Sequence, residues 1–311
     1  MKEKRPKLRL RKQVIYTFPV LVMLLILGTV LLINKSSIFS NEVSKTNTLA
    51  TNELNDKETF NLENITYIKS LNEYITKRQM DNTIIYYAQL HKLDVDKTLE
   101  IAYKYTNNYK DAEYNKTFVI GPKKVKQKAD SFKNYEAGIV YFTRDLYRYP
   151  EKYGSSIYEI RLDETPTTKK VSKDGNIYMD NGLTYEQYVG KICDLFEVDK
   201  SFVLAIARLE SGNESSYLFT NKNNIGGHRG LGGTWKSYTT LEAGIISHVL
   251  TVKSIATSSG VDIKEVTNEE ISIISGKYVN GSVSKPSSSW TGKVTNLKEK
   301  IESKDLFIIK K

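Results

Sequence analysis

The stretch Ser201 to Gly212, SFVLAIARLESG, constrains this chain most. Phe202, Val203, Leu204, Ala205, Ile206, Ala207 and Leu209 put apolar side chains on every side of a helical wheel. A helix apolar all round has to be enclosed by other elements, so the fold must be built around it. Asp199 is placed to cap its start, and Gly212 to end it in the left-handed conformation that glycine tolerates. One carboxylate, Glu210, lies in its last turn. Helix C-termini carry partial negative charge and burial disfavours ionisation, so both effects push a carboxyl pKa upward. A carboxyl that keeps its proton near neutral pH can act as a general acid toward a leaving oxygen. The alternative is a Glu that reaches water beside the glycine.

The net charge of +10 is uneven. Residues 2 to 12 hold seven Lys or Arg against one Glu, and the rest of the chain is too weakly basic to argue for nucleic acid. Val14 to Ile33 is an uncharged apolar run of 20 residues, long enough to cross a hydrocarbon core of about 30 Å. It exceeds a signal-peptide core, and no A-x-A-like site follows closely. The expected organisation is a cytoplasmic basic segment 1–13, a transmembrane helix 14–33 and an extracellular stalk 34–64 rich in Ser, Thr, Asn, Lys and Glu. A cleaved signal peptide is the alternative, and in either case the bulk of the chain leaves the cytoplasm. The single cysteine, Cys193, sits in an apolar helical pattern and excludes an internal disulfide or a Cys-based metal site.

The remainder reads as mainly α: a helical domain over 65–165, a polar linker over 166–179 and a second helical domain over 180–311. Helical patterns are read in YIKSLNEYI, NTIIYYAQLHKL, VDKTLEIAYKY and YEAGIVYFTRDLY. Thr184 with Gln187, Thr239 with Glu242 and Thr267 with Glu270 each fit a capping box. The two halves also share an internal repeat. VDK at 95–97 recurs at 198–200, an offset of 103, and EAGI at 136–139 recurs at 242–245. Duplication explains a constant offset broken by one short insertion; chance similarity of amphipathic helices is the alternative. At the offset of 103, Asn107 stands where the second copy has Glu210, which makes the first copy degenerate.

After Glu210 comes NNIGGHRGLGG, in which five of the eight residues from Gly226 to Gly233 are glycine. Such a loop lets backbone groups approach a ligand closely. It lacks the ending and the strand–helix context of a phosphate loop. His228 and Arg229 lie where they can touch a substrate, and no His, Asp and Glu cluster has metal spacing. ARLESG, NNIGG, YTTLEAGIISH, ISGKYVNG and SW-x-x-KV, taken in order over roughly 180–302, resemble the lysozyme-like superfamily of peptidoglycan hydrolases. The strongest likeness is to bacterial glucosaminidase-type domains. The resemblance implies an α-rich fold with a sugar-binding cleft, with Glu210 as general acid and Tyr278 as a second catalytic group reached after a later helix. It implies a substrate site over Asn223, Asn224, Gly226, Gly227 and Tyr238, with no cofactor and no metal. The partners implied are peptidoglycan glycan strands and, through 14–33, the membrane, with any membrane protein partner unknown.

One departure follows from the residues. Glu214 is the only acid between Glu210 and Glu242, whereas most glycosidases pair two carboxyls. A single acid is workable when the substrate's own N-acetyl group attacks, or when a muramic 6-hydroxyl does, as in the lytic transglycosylase relatives. The expected function is therefore an anchored glycan-strand hydrolase, with an N-acetylglucosaminidase favoured over a transglycosylase or muramidase. A non-catalytic wall-binding scaffold of two decayed copies is the competing class. The topology has its own check. Protease added to wall-stripped cells should digest residues beyond about 35, while protection of that part reverses the orientation.

Overall fold

The computed structural model describes residues 65–68, 73–111, 113–114, 117–123, 132, 134–163, 165–167 and 176–309. The expected cytoplasmic segment 1–13, membrane span 14–33 and stalk 34–64 all lie outside them. Among the described residues no helix is long and apolar enough to cross a membrane.

The architecture is mainly helical. A hairpin of β1 (Ile65–Ile68) and β2 (Glu73–Thr76) leads into α1 (Lys77–Leu90) and α2 (Val95–Thr106). A second short hairpin, β3 (Glu113–Tyr114) with β4 (Thr117–Phe118), precedes α3 (Tyr135–Arg148) and the short α4 (Ile157–Ile160). Then come α5 (Tyr185–Phe196), α6 (Lys200–Ser211), α7 (Tyr217–Lys222), α8 (Leu241–Ser258), α9 (Asn268–Asn280) and α10 (Ser288–Ile309). The reading of YIKSLNEYI as helix is overturned: its described residues Tyr67, Ile68, Glu73, Tyr74 and Ile75 all lie in the two paired strands. The β-branched and aromatic residues Ile65, Thr66, Tyr67, Ile68, Tyr74, Ile75 and Thr76 favour extended backbone over helix.

Residues 60–311 form one compact unit, so the two helical segments read as separate domains share a single core. In the first half α1 packs on α2 and α3, and α3 in turn meets α5 and α8. The Thr239 and Thr240 hydroxyls both donate to the Leu90 carbonyl at 2.9 Å, tying the start of α8 to the end of α1. Cys193 is a fully buried member of α5. The helix α6 lies against α5, α8 and α10, and every side chain from Phe202 to Ala207 is completely enclosed.

Local chemistry sets the helix ends. Asp199 accepts from the Phe202 N–H at 3.0 Å, and Gly212 closes α6 at φ 59°. The boxes at Thr184 with Gln187 and Thr267 with Glu270 are both formed. The box expected from Thr239 with Glu242 is not. The helix begins one residue later, at Leu241, so Thr240 is the cap and accepts from the Ala243 N–H at 3.0 Å.

The helix caps correct the register of the repeat. α2 and α6 are each 12 residues long, start at Asp94 and Asp199, and end in left-handed Asn107 and Gly212. Both pairs of caps are 105 residues apart. VDK lies inside the first turn of α2 but straddles the cap of α6, so its offset of 103 misaligns the two helices. The counterpart of Glu210 is then Tyr105, whose hydroxyl donates to the Tyr153 carbonyl, while Asn107 is the counterpart of Gly212. Asn107 at φ 48° should accept glycine but not a β-branched residue. Asn107→Gly is expected to melt within a few degrees of the native chain. Asn107→Val should lose about 1–2 kcal/mol by denaturant titration.

Candidate active site

Glu210 emerges where the enclosed helix α6 gives out. It is half-buried, two residues before the glycine that turns the chain away. Trp290, near the start of α10, donates its indole N–H to Glu210 Oε1 at 3.1 Å. An indole nitrogen can only donate, so Oε1 accepts and the acid proton belongs on Oε2. Oε2 faces the glycine loop: a Cβ built on Gly227 would sit 3.1 Å from it, at a backbone φ of 60°. Burial raises the Glu210 pKa, and the Trp290 hydrogen bond opposes that rise. The carboxyl is thus held by one oxygen in an environment that favours its protonated form.

The loop that covers Glu210 is built with little slack. Gly226 packs on two imidazoles; a Cβ there would lie 2.6 Å from His228 Nε2 and closer still to His248 Nδ1. His228 Nδ1 shares a hydrogen bond of 2.7 Å with the Tyr238 hydroxyl. His248 Nδ1 lies 3.4 Å from His228 Nε2. Burial, and for His228 the nearby positive charges, push both imidazole pKa values down, His248 to about 4, so the pair is neutral near pH 7. The Tyr278 hydroxyl donates to the Gly226 carbonyl at 3.0 Å, and its ring leans on Trp290 with centroids 5.2 Å apart. Burial and the Glu210 charge keep that phenol protonated. Tyr278 therefore braces both the loop and the indole that holds Glu210. It lies in the last turn of α9, not after that helix.

The two asparagine amides donate elsewhere. Asn224 is buried; its amide donates to the His228 and Lys236 carbonyls at 2.9 and 3.0 Å, and its oxygen accepts from the His228 N–H at 2.8 Å. Asn223 is equally buried and donates to the Tyr238 carbonyl at 3.0 Å. Their side chains staple the loop instead of presenting an edge to a ligand. Tyr238 is also buried, with its hydroxyl on His228. Of the expected site residues, Glu210, Tyr278, Gly226 and Gly227 meet at one place, and Asn223, Asn224 and Tyr238 stand behind the loop.

The other acids stand apart. Glu214 pairs with Arg208 at 3.6 Å, and Glu242 is buried, accepting from the Asp180 N–H at 3.2 Å. Among the described residues no second carboxylate acts on the charge of Glu210. The residue that sequence reasoning left off the site is Trp290. It appears in the SW-x-x-KV run, but nothing in a separation of 80 residues connects it to Glu210. Arg229 does not reach toward Glu210; its guanidinium lies over the Trp235 ring at 3.9 Å.

No family model, no curated protein and no solved structure matches the chain. The geometry itself offers one poised carboxyl, an indole clamp, and a tightly packed glycine loop against the carboxyl.

The raised pKa of Glu210 has a consequence for stability. A carboxyl whose folded pKa exceeds its unfolded value stabilises the fold fully below the unfolded value and loses that contribution as pH rises through the folded one. Glu210→Gln keeps an acceptor for Trp290 and removes the charge. It should therefore melt above the native chain at about pH 8, with the gain vanishing by about pH 4. Thermal unfolding at the two pH values checks this; a loss at both would make Glu210 a structural group.

Proposed function

We propose that the chain is a membrane-anchored, extracellular peptidoglycan hydrolase of lysozyme-like fold that cleaves the glycan strand as an N-acetylglucosaminidase. The observation that carries this reading is Glu210 itself, a carboxyl held through one oxygen by Trp290, raised in pKa by burial and facing the glycine loop. The ordered resemblance of ARLESG, NNIGG and SW-x-x-KV supports the substrate class.

In this reading Glu210 Oε2 gives its proton to the glycosidic oxygen as the bond to the anomeric carbon breaks. With one carboxyl acting there, the N-acetyl oxygen of the substrate attacks the anomeric carbon and forms a cyclic oxazolinium. Water then opens that ring, and Glu210, now a carboxylate, takes the proton back from the water. Trp290 and Tyr278 are positioning residues: the indole fixes the rotamer of the carboxyl, and the phenol fixes the indole and the loop. Gly226 and Gly227 let the sugar approach the loop backbone. The membrane span holds the enzyme beside the wall.

Glu210→Gln should cut the release of muropeptides by about 10²–10⁴-fold or more, with the protein still folded. Mass spectrometry of digested peptidoglycan should find reducible N-acetylglucosamine ends. 1,6-Anhydro-muramic ends would mean transglycosylation, and reducing muramic ends a muramidase. Release at near-native speed from Glu210→Gln would move the acid to Glu214 or Glu242, whereas no release by the native chain would return it to the scaffold class.

A further inference from the structure

A cleft of about 850 Å³, which Glu210 does not line, is bordered by Arg148, Arg161, Arg229 and Lys236, with Glu151 as its one acid. The cations come from separate parts of the chain: the end of α3, the residue after α4, the glycine loop itself for Arg229, and the segment that follows it for Lys236. Aromatic rings hold the guanidinium groups flat. Arg148 lies over Tyr149 at 5.1 Å, Arg161 over Tyr147 at 4.2 Å, and Arg229 over Trp235 at 3.9 Å. Stacking of this kind fixes the plane of each guanidinium. Arg161 donates from Nε and Nη2 to the Tyr147 carbonyl, and Arg229 donates from Nη1 to the Gly233 carbonyl. The donors left for a ligand are therefore chiefly those of Arg148 and Lys236, with the remaining N–H groups of Arg229.

The positive charge is not balanced from within. Arg148, Arg229 and Lys236 make no ion pair among the described residues. One turn deeper on α3, on the same face as Arg148, Arg144 is only 8% exposed and its Nε has no hydrogen-bond partner. Among the described residues the one carboxylate that acts on Arg144 is Asp145, which already pairs with Lys152 at 3.2 Å. A buried guanidinium so weakly compensated near three arginines and a lysine is costly unless something negative arrives. The field is felt at Lys236, whose pKa falls to about 8 through burial and the charges of Arg148, Arg144 and Arg161. The other titratable groups on that wall do not offset it. The Tyr238 phenol is pushed up to about 12, and His228 behind it is neutral.

We propose that this cleft binds a phosphate-bearing ligand that carries at least two negative charges. A single carboxylate would neutralise too little of four cations, whereas the several oxygens of phosphate groups can accept from Arg148, Lys236 and the remaining N–H groups of Arg229 at once. The same chemistry is offered by a free phosphorylated small molecule and by a phosphodiester polymer of the cell surface.

Calorimetry on the full chain tests it, with inorganic pyrophosphate in one arm and poly(glycerol phosphate) in the other. Saturable binding is expected in at least one arm, and the tighter arm identifies the source. Lys236→Gln and Arg148→Gln should each weaken it by about 10- to 100-fold, the usual worth of a hydrogen bond to a charged group. Near pH 8 binding should take up a proton onto Lys236, read as a buffer-dependent heat. Lys236→Arg should keep the affinity and lose that proton. Glu210→Gln should bind as the native chain does, so failure here and failure of the hydrolase reading are separable. No saturable binding in either arm, or undiminished affinity in both Lys236→Gln and Arg148→Gln with the folds intact, overturns the proposal.

Discussion

The candidate site depends on one helix that has no solvent face over most of its length. Phe202 to Ala207 in α6 are wholly enclosed by α5, α8 and α10. Burying each of the larger side chains contributes roughly 1.5–3 kcal/mol, so this helix is among the strongest contributors to the core. Its position is consequently rigid, and so is the place where it ends. Glu210 is carried to the edge of the core and left half in, half out. A carboxyl at that depth is disfavoured as an anion, and Trp290 only partly offsets the effect. The stability of α6 and the unfavourable setting of Glu210 are the same fact seen from two ends.

The glycine loop packs directly against the Glu210 carboxyl. Each of its contacts excludes a side chain. Gly226 is pressed on His228 and His248, and Gly227 on the Glu210 carboxyl. A Cβ on Gly244 of α8 would overlap the Asn223 carbonyl oxygen, so a third glycine, outside the loop, lets the loop seat on that helix. The buried amides of Asn223 and Asn224 then satisfy backbone carbonyls that would otherwise be stranded. The loop owes its rigidity to the polar groups behind it, while its small residues face the acid.

Two electrostatic environments lie close together in the chain but differ in kind. Around Glu210 the dominant effect is desolvation, with one neutral donor on the carboxyl. Around Lys236 burial comes first, and the positive charges of Arg148, Arg144 and Arg161 add to it. His228 stands between these regions, bonded to Tyr238 on one side and against Gly226 on the other, and it is kept neutral by burial and by those same cations. A protonated imidazole at that position would add charge to the basic cleft and disturb the packing of Gly226.

Several features were legible in the sequence because they depend on neighbours within a turn or two. The all-apolar wheel of SFVLAIARLESG, its caps at Asp199 and Gly212 and the boxes at Thr184 and Thr267 follow from local spacing, and the structure forms them all. The elevated pKa of Glu210 followed as well, since a buried helix end suffices to argue it. What failed were arguments needing long-range partners or exact register. The first hairpin was read as helix because a short run of Ile and Tyr fits either period, and only pairing decides. The box at Thr239 failed because the helix starts one residue later, with Thr240 as its cap, and both hydroxyls are tied to the Leu90 carbonyl far away in the chain. Sequence matching set Asn107 opposite Glu210, whereas the helix caps put Tyr105 there, because the VDK motif sits differently on each helix. Trp290 on Glu210, Tyr278 on Gly226 and four cations in one cleft were decided by tertiary packing alone. The physical reason is common to them: a helix's wheel and caps are fixed by contacts along the chain, while a site is fixed by which helix ends the core brings together.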